Sequence, residues 1–316
     1  MNKLKVADVN LEIYKEIVLG EVPRIISLCD RDVNSATGGC FDRNYWHYKL
    51  IDFPNARLQE GMLLLTLLYL NEFPGNVYFN KEKIRKWAID ALKFWEQIQN
   101  SDGSFSEIYP YERSFCGTSF STYAATETML LLNEHTNLQK ITKAGNWLAS
   151  HTNSTVANQV AGSIVALHNI YLLTGDESFE KAATLKAEIL ISLQHESGYY
   201  PEYGGYDIGY QTITLSFLAK YFQKSKFEPL KKSLAKGIEF IRTMIDEKGD
   251  FDISGTSRKT QYFYTHGFSL LKDEDIMRRN LTALENGTVV NPSWMDDRYC
   301  IAYTIDYLQT YLKLGS

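Results

Sequence analysis

A short phrase returns along this chain. Gln99-Asn-Ser-Asp-Gly103-Ser-Phe105 is echoed by Gln194-His-Glu-Ser-Gly198-Tyr-Tyr200 and, more weakly, by Asp246-Glu-Lys-Gly249-Asp-Phe251. Each copy closes one apolar-periodic segment and precedes the next. The three glycines are 95 and 51 residues apart, and a break at His151-Thr-Asn-Ser-Thr155 falls near the middle of the longer interval. A working period of about 50 residues is the range in which a repeated supersecondary unit builds an array or a ring. Each unit reads as a helical hairpin, and about six of them use up the 316 residues. Stacked hairpins share a continuous core, so residues 1–316 are expected to form a single domain.

Apolar residues recur at helical spacing, and no segment alternates as a strand would. A helical pair is expected over 8–29. Further helices are expected over 55–72, 80–99, 117–134, 137–150, 156–173, 176–194, 208–223, 228–246, 273–285 and 297–313. In 80–99, Ile84, Trp87, Ala88, Ala91, Leu92 and Trp95 fall on one stripe. Nearly uncharged segments (117–134, 156–173, 208–223) alternate with charged amphipathic ones (80–99, 137–150, 176–194, 228–246). The first kind suits helices buried on most sides, and the second suits helices with one wet face. The expected fold is therefore all-α: an α/α barrel, or toroid, with inner and outer helix layers. In such a ring the connections 100–116, 151–156, 195–207 and 247–266 run from outer to inner helix and open on one face. Long connections inside a compact domain are usually functional, so the site is expected in the central cavity on that face.

The composition narrows the function classes. A net charge of -5 argues against a nucleic-acid partner. The four cysteines, at 29, 40, 116 and 300, show no CxxC and no metal-ligand spacing, so neither a metal nor another cofactor is expected. Cys116 and Cys300, at apolar helix starts, are expected to be small buried residues. The longest apolar run, Met62 to Leu70, is far short of the ~20 residues a membrane span needs. No signal peptide is visible at Met1–Asp8, which makes the cytoplasm the expected location. Oligomeric state is open.

Three segments concentrate chemistry: 38–59 (with Asp42, Arg43 and His47), 198–211 (with Glu202, Tyr203, Tyr206, Asp207 and Tyr210) and 255–268 (with Arg258 and His266). Together they resemble α/α-toroid proteins of bacterial polysaccharide metabolism, above all the helical domain of heparinase II/III-type lyases. The resemblance implies a cavity that holds a saccharide, with a tyrosine and a histidine for proton transfer and an asparagine or arginine against the substrate carboxylate. Tyr206-Asp207-Ile-Gly-Tyr210 also resembles the His-Asp-x-Gly-Phe stretch of unsaturated glucuronyl hydrolases.

The residues themselves leave three schemes open. In β-elimination, His266 or a loop tyrosine such as Tyr206 serves as base and acid, while Arg258 or Asn158 neutralises a uronate carboxylate. In glycoside hydrolysis, two of Glu202, Asp207, Glu112, Glu107 and Asp42 flank the bond. In the third, the chain only binds saccharide. Asp42, Arg43, His47, Tyr111, Arg113, Asn158, Tyr203, Tyr210 and Arg258 are the candidate substrate contacts. Structural roles compete at several of them. Asp207 stands where it would cap the next helix, Glu112 and Arg113 could form an ion pair, and His168 in an uncharged helix reads as a core histidine. Five tyrosines between 199 and 210, broken by proline and glycines, do not form a packing stripe, and tyrosine suits a sugar ring. The Gln-x-x-x-Gly-aromatic phrase also occurs in terpenoid cyclases and prenyltransferases, but this chain has no Asp-x-Asp-Asp acid motif and no Asp/Cys/His zinc spacing. A zinc set of Cys116, Cys300 and His266, as in a lanthipeptide cyclase, could form only if ring closure brought them together.

Overall fold

Charged and uncharged segments alternate because they meet different surroundings. The computed structural model describes residues 11–134 and 137–315, and among these it is all-α, with isolated bridges and no strand. The helices are α1 (Glu12–Leu28), α2 (Arg43–Trp46), α3 (Gly61–Leu70), α4 (Glu82–Gln97), α5 (Phe115–Leu132), α6 (Leu138–Ser150), α7 (Ala157–Thr174), α8 (Glu177–Leu193), α9 (Ile208–Ser225), α10 (Pro229–Met244), α11 (His266–Leu271), α12 (Glu274–Asn286) and α13 (Asp297–Leu314). A 3₁₀ turn, Ala56–Glu60, leads into α3.

The sparsely charged helices are enclosed. From Ala157 to Ile170 every α7 residue but Gln159 is buried, and in α3 Gly61–Leu68 are all buried. α4 buries only one stripe, including Ile84, Ala88, Ala91, Leu92 and Trp95, with Trp87 at its half-buried edge. Each large apolar side chain so buried contributes about 1.5–3 kcal/mol, whereas an unpaired charge there would cost more than that. Enclosed helices touch one another in sequence: α3 packs on α5, α5 on α7, α7 on α9, α9 on α11 and α11 on α13, and α13 packs back on α3. Around them, α4 packs on α3, α6 on α5 and α7, α8 on α7, α10 on α9, α12 on α11 and α1 on α13.

The repeated phrase is a clip between consecutive hairpins. Gly103 and Gly198 sit at φ +100° and +105°, which disfavours any residue with a Cβ. A Cβ at either would also come closer than 3.0 Å to a backbone carbonyl of a later charged helix, that of Lys143 in α6 or Lys236 in α10. The glutamine of the phrase spans the same junction. Gln99 Nε2 donates to Gly103 O (3.3 Å) and Lys140 O (2.9 Å), and Gln194 Nε2 donates to Gly198 O (2.8 Å) and Ser233 O (2.9 Å). The third copy lacks the glutamine. There Arg279 Nη1 of α12 donates to Ile245 O (2.9 Å) instead. At the break after α6, Lys186 Nζ of α8 reaches His151 O (2.6 Å).

Two expectations need correction. Between Glu12 and Leu28 the chain is one continuous helix with Pro23 inside it, so no second helix occupies the described part of 8–29; residues 8–10 lie outside the described residues. Two short helices, α2 and α11, were also not foreseen, because four and six residues are too few to show a helical period.

Candidate functional site

Connections that the sequence placed on one face are laced together. Tyr203 N donates to Thr155 O (2.8 Å), and Ala157 N donates to Pro201 O (3.1 Å). Ser257 N donates to Tyr206 O (2.9 Å). Asp207 joins the last two connections: Oδ1 accepts from Tyr210 N (3.1 Å) and caps α9, while Oδ2 accepts from the amides of Arg258 (3.3 Å) and Thr260 (3.2 Å).

All four connections, or the helix starts beside them, deliver side chains to one cavity of about 230 Å³. Glu107 and Ile108 come from 100–116, Asn158 from the start of α7, Tyr203 from 195–207, and Arg258 and Tyr264 from 247–266. Arg57 and Glu60 enter from the turn before α3, Lys220 from α9, and Arg298, Tyr299 and Asp306 from α13. Phe120, Tyr123, Tyr210 and Phe217 form an aromatic wall.

Its charges are organised in two groups. Near the connections, Arg57 Nε donates to Glu60 Oε1, and Arg57 Nη1 approaches Cys116 Sγ at 3.4 Å. Arg298 Nη1 donates to Glu107 Oε1 (2.7 Å), and Ser114 Oγ donates to Glu107 Oε2 (3.0 Å). Burial raises the Glu60 carboxyl above its ordinary range despite Arg57. Burial acts on Glu107 in the same sense, but Arg57, Arg298 and the hydrogen bonds outweigh it and hold that carboxyl low. At the far end, Asp306 Oδ2 accepts from the amides of Thr265 (2.6 Å) and His266 (3.0 Å), and Oδ1 accepts from Ser216 Oγ (2.9 Å). Burial brings the Lys220 ammonium down to about 8, with Asp306 and Glu127 opposing. Beneath it, Lys224 Nζ ties α9 to α5 and α7 through Glu127 Oε2 (2.5 Å) and Asn169 Oδ1 (2.8 Å).

Of the residues singled out from the sequence, Asn158, Tyr203, Tyr210 and Arg258 meet in this cavity, as does Glu107. Arg258 lies over the Tyr203 ring at 4.4 Å, and the Tyr210 and Tyr299 hydroxyls are 3.3 Å apart. Glu202 stands behind the wall at 2% exposure, with Oε1 accepting from Asn158 Nδ2 (2.7 Å); burial raises its carboxyl to about 8. Asp42 and Arg43 line a neighbouring cleft instead.

The remaining candidates fall elsewhere. Asp207 is buried under the rim with its oxygens taken by the cap and by the connection after α10, so it positions Arg258 rather than facing a ligand. His266 is the buried first residue of α11 and does not line the cavity; Nδ1 pairs with Ser269 Oγ (3.1 Å), and burial pushes the ring well below the usual histidine range, which makes it a weak proton acceptor. Tyr206 packs on Phe240 and Tyr199. Glu112 accepts from the amides of Glu107 and Ile108 and does not pair with Arg113, whose partner is Asp102 at 3.1 Å. Tyr111 is 88% exposed, and His47 lies at the surface, tilted against Trp46 and edge-on to Tyr48. Cys116, expected to be enclosed, borders the cavity. Arg57, Glu60, Lys220, Arg298, Tyr299 and Asp306 were not foreseen.

Among the described residues no group of three His, Cys, Asp or Glu side chains is placed to hold a metal ion, and no helix is long and apolar enough to cross a membrane. No family model matches the chain, and no curated protein matches it.

Proposed function

We propose that the helices form an α/α toroid, that its cavity takes a saccharide, and that the chain is a carbohydrate-active enzyme working by glycoside hydrolysis. The toroid reading rests on the circuit of enclosed helices from α3 through α5, α7, α9, α11 and α13 back to α3, each backed by a more charged helix. The observation that carries the chemistry is one cavity with two carboxylates in opposed environments. Glu60 is biased toward its protonated form and Glu107 toward its ionised form, with Arg57 acting on both. A pair of carboxyl groups pushed in opposite directions in one cavity supports an acid and a base or nucleophile, which hydrolysis of a glycosidic bond requires. Glu60 is the proton donor in this scheme and Glu107 its ionised partner. Tyr203, Tyr210 and Phe217 offer flat faces for the sugar, and Arg258, with no described carboxylate paired to it, suits an acidic substituent.

Elimination is the second reading. The Tyr210–Tyr299 hydroxyl pair lies in the same cavity as Arg258, the arrangement needed to move a proton next to a neutralised uronate. The test is incubation with acidic and neutral oligosaccharides. Hydrolysis gives new reducing ends without the ultraviolet band of an unsaturated product, and Glu107→Gln should lower that rate by about 10² or more. The band appearing in the wild type and surviving Glu107→Gln transfers the assignment to elimination. No product from any oligosaccharide tested removes both.

A further inference from the structure

The cavity is smaller than the roughly 300–1,000 Å³ usual for a ligand pocket. A saccharide of several units must extend beyond it. One neighbouring space adjoins it: a cleft of about 600 Å³ has Glu107, Ile108 and Arg298 as walls in common with the cavity. Its floor carries Arg43, whose Nε is buried without a hydrogen-bond partner among the described residues and whose guanidinium lies 5.3 Å from the centre of the Tyr48 ring. Each acidic group of the cleft has a hydrogen-bond donor, Asp42 and Asp296 from backbone amides and Asp297 and Glu107 from arginines. Asp42 accepts from the amides of Asn44 (3.1 Å), Tyr45 (3.3 Å) and Asn55 (2.8 Å). Asp297 accepts from Arg24 Nε (3.0 Å), Glu107 from Arg298 (2.7 Å) and Asp296 from Tyr299 N (3.0 Å). Arg24 is also paired, which leaves Arg43 as the cleft cation without a carboxylate partner among the described residues.

The same pairing recurs where a guanidinium has no carboxylate partner among the described residues: Arg43 lies over Tyr48 in the cleft and Arg258 over Tyr203 (4.4 Å) in the cavity, whereas Arg298, over Tyr299 (4.5 Å) between them, is committed to Glu107. An arginine fork beside a tyrosine face recognises a carboxylate and a ring together.

We infer that Arg43 and Tyr48 form a second subsite, outside the cavity, for an anionic unit of the same carboxylated saccharide chain. This inference rests on the saccharide reading and adds to it a preference for longer acidic chains. Calorimetry tests it, using the full chain with galacturonate and mannuronate oligomers of two and eight units and maltose and malto-octaose as neutral controls. The acidic octamer should bind about tenfold or more tighter than the dimer. Arg43→Ala and Tyr48→Ala should each remove most of that advantage while leaving dimer affinity within about twofold, because Arg258 and Tyr203 are intact. Tyr48 is exposed, so its variant is informative even if Arg43→Ala perturbs folding. The inference is overturned if dimer and octamer bind alike in the wild type, if both variants keep the octamer advantage, or if the neutral octamer binds as well as the acidic one. Absence of binding by every oligomer sinks the saccharide reading as well.

Discussion

Arg298 holds the cavity's chemistry at the level of single residues. It bonds Glu107 directly and helps keep that carboxyl ionised against the push of burial. Arg57 also holds that carboxyl low, but Arg298→Ala removes the positive charge hydrogen-bonded to it, so the Glu107 pKa rises. If Glu107 acts as the ionised partner, the acidic limb of the pH–rate profile should move to higher pH in the variant; an unmoved limb excludes Glu107 from that role. Glu202 allows a prediction independent of substrate. Its carboxyl keeps a proton up to about pH 8 in the folded chain, whereas the ordinary value is 4.5. The folded state therefore binds more protons than the unfolded state between those values, and this group lowers stability as pH rises through that window. Glu202→Gln keeps the acceptor for Asn158 Nδ2 without the titration. The melting temperature of the variant should gain on the wild type by about 2 °C or more between pH 5 and pH 8. A constant difference across the range would mean that Glu202 does not titrate there. The cavity was only partly legible in the sequence for a physical reason. Loop residues such as Tyr203 and Arg258 announced themselves by type, but Lys220 and Asp306 sit inside enclosed helices and read as exceptions to an apolar pattern. Such exceptions were the available signal, since a charge is tolerated in a buried helix only where it faces partners or a cavity. Asp207 misled because a helix cap and a catalytic acid can occupy the same sequence position, before an apolar helix and after a glycine-rich turn.

At the scale of elements, the repeat was legible because its constraint is local. A turn with positive φ pressed against a neighbouring carbonyl admits glycine and little else, and the glutamine four residues earlier marks the same junction. The junctions without the glutamine are fastened by a charged side chain from the next outer helix, Lys186 or Arg279, so the phrase is weak at Gly249 and absent at 151–155. This account separates two glycines that share a backbone conformation. Gly198 (φ +105°) faces Lys236 O, whereas Gly204 (φ +83°) has nothing within 4 Å of a would-be Cβ. Gly204→Ala should cost about 1–2 kcal/mol, the price of the left-handed backbone alone. Gly198→Ala adds displacement of α10 from the turn and should cost clearly more, measured as the difference in urea midpoints at equal m-value. Equal losses would show that the turn does not hold α10.

For the whole molecule, the distinction that matters is between a closed circuit and an open stack. First and last elements meet in a seam. Tyr14 of α1 is fully buried, its ring is 5.0 Å from Tyr307 of α13, and its hydroxyl donates to Asn280 Oδ1 of α12 (3.0 Å). Arg24 of α1 bonds Asp297 (3.0 Å) and Met295 O (2.8 Å). In an open array each repeat leans only on its neighbours, so a defect at one end leaves distant repeats as stable as before. In a toroid, opening the seam frees both ends, and the loss is felt by every hairpin. Tyr14→Phe is a small lesion that leaves Asn280 Oδ1 buried without its donor, at a cost of about 1–3 kcal/mol. Hydrogen exchange on the native protein reads where that cost is paid. For the proposed toroid, the slowest amides of α7, which packs on α5 and α9 and not on the seam, should exchange about tenfold faster in the variant, in step with those of α1 and α13. Acceleration confined to α1, α12 and α13 would mean that the hairpins open independently, and a cavity dependent on α13 for Arg298, Tyr299 and Asp306 would then be no more stable than the seam.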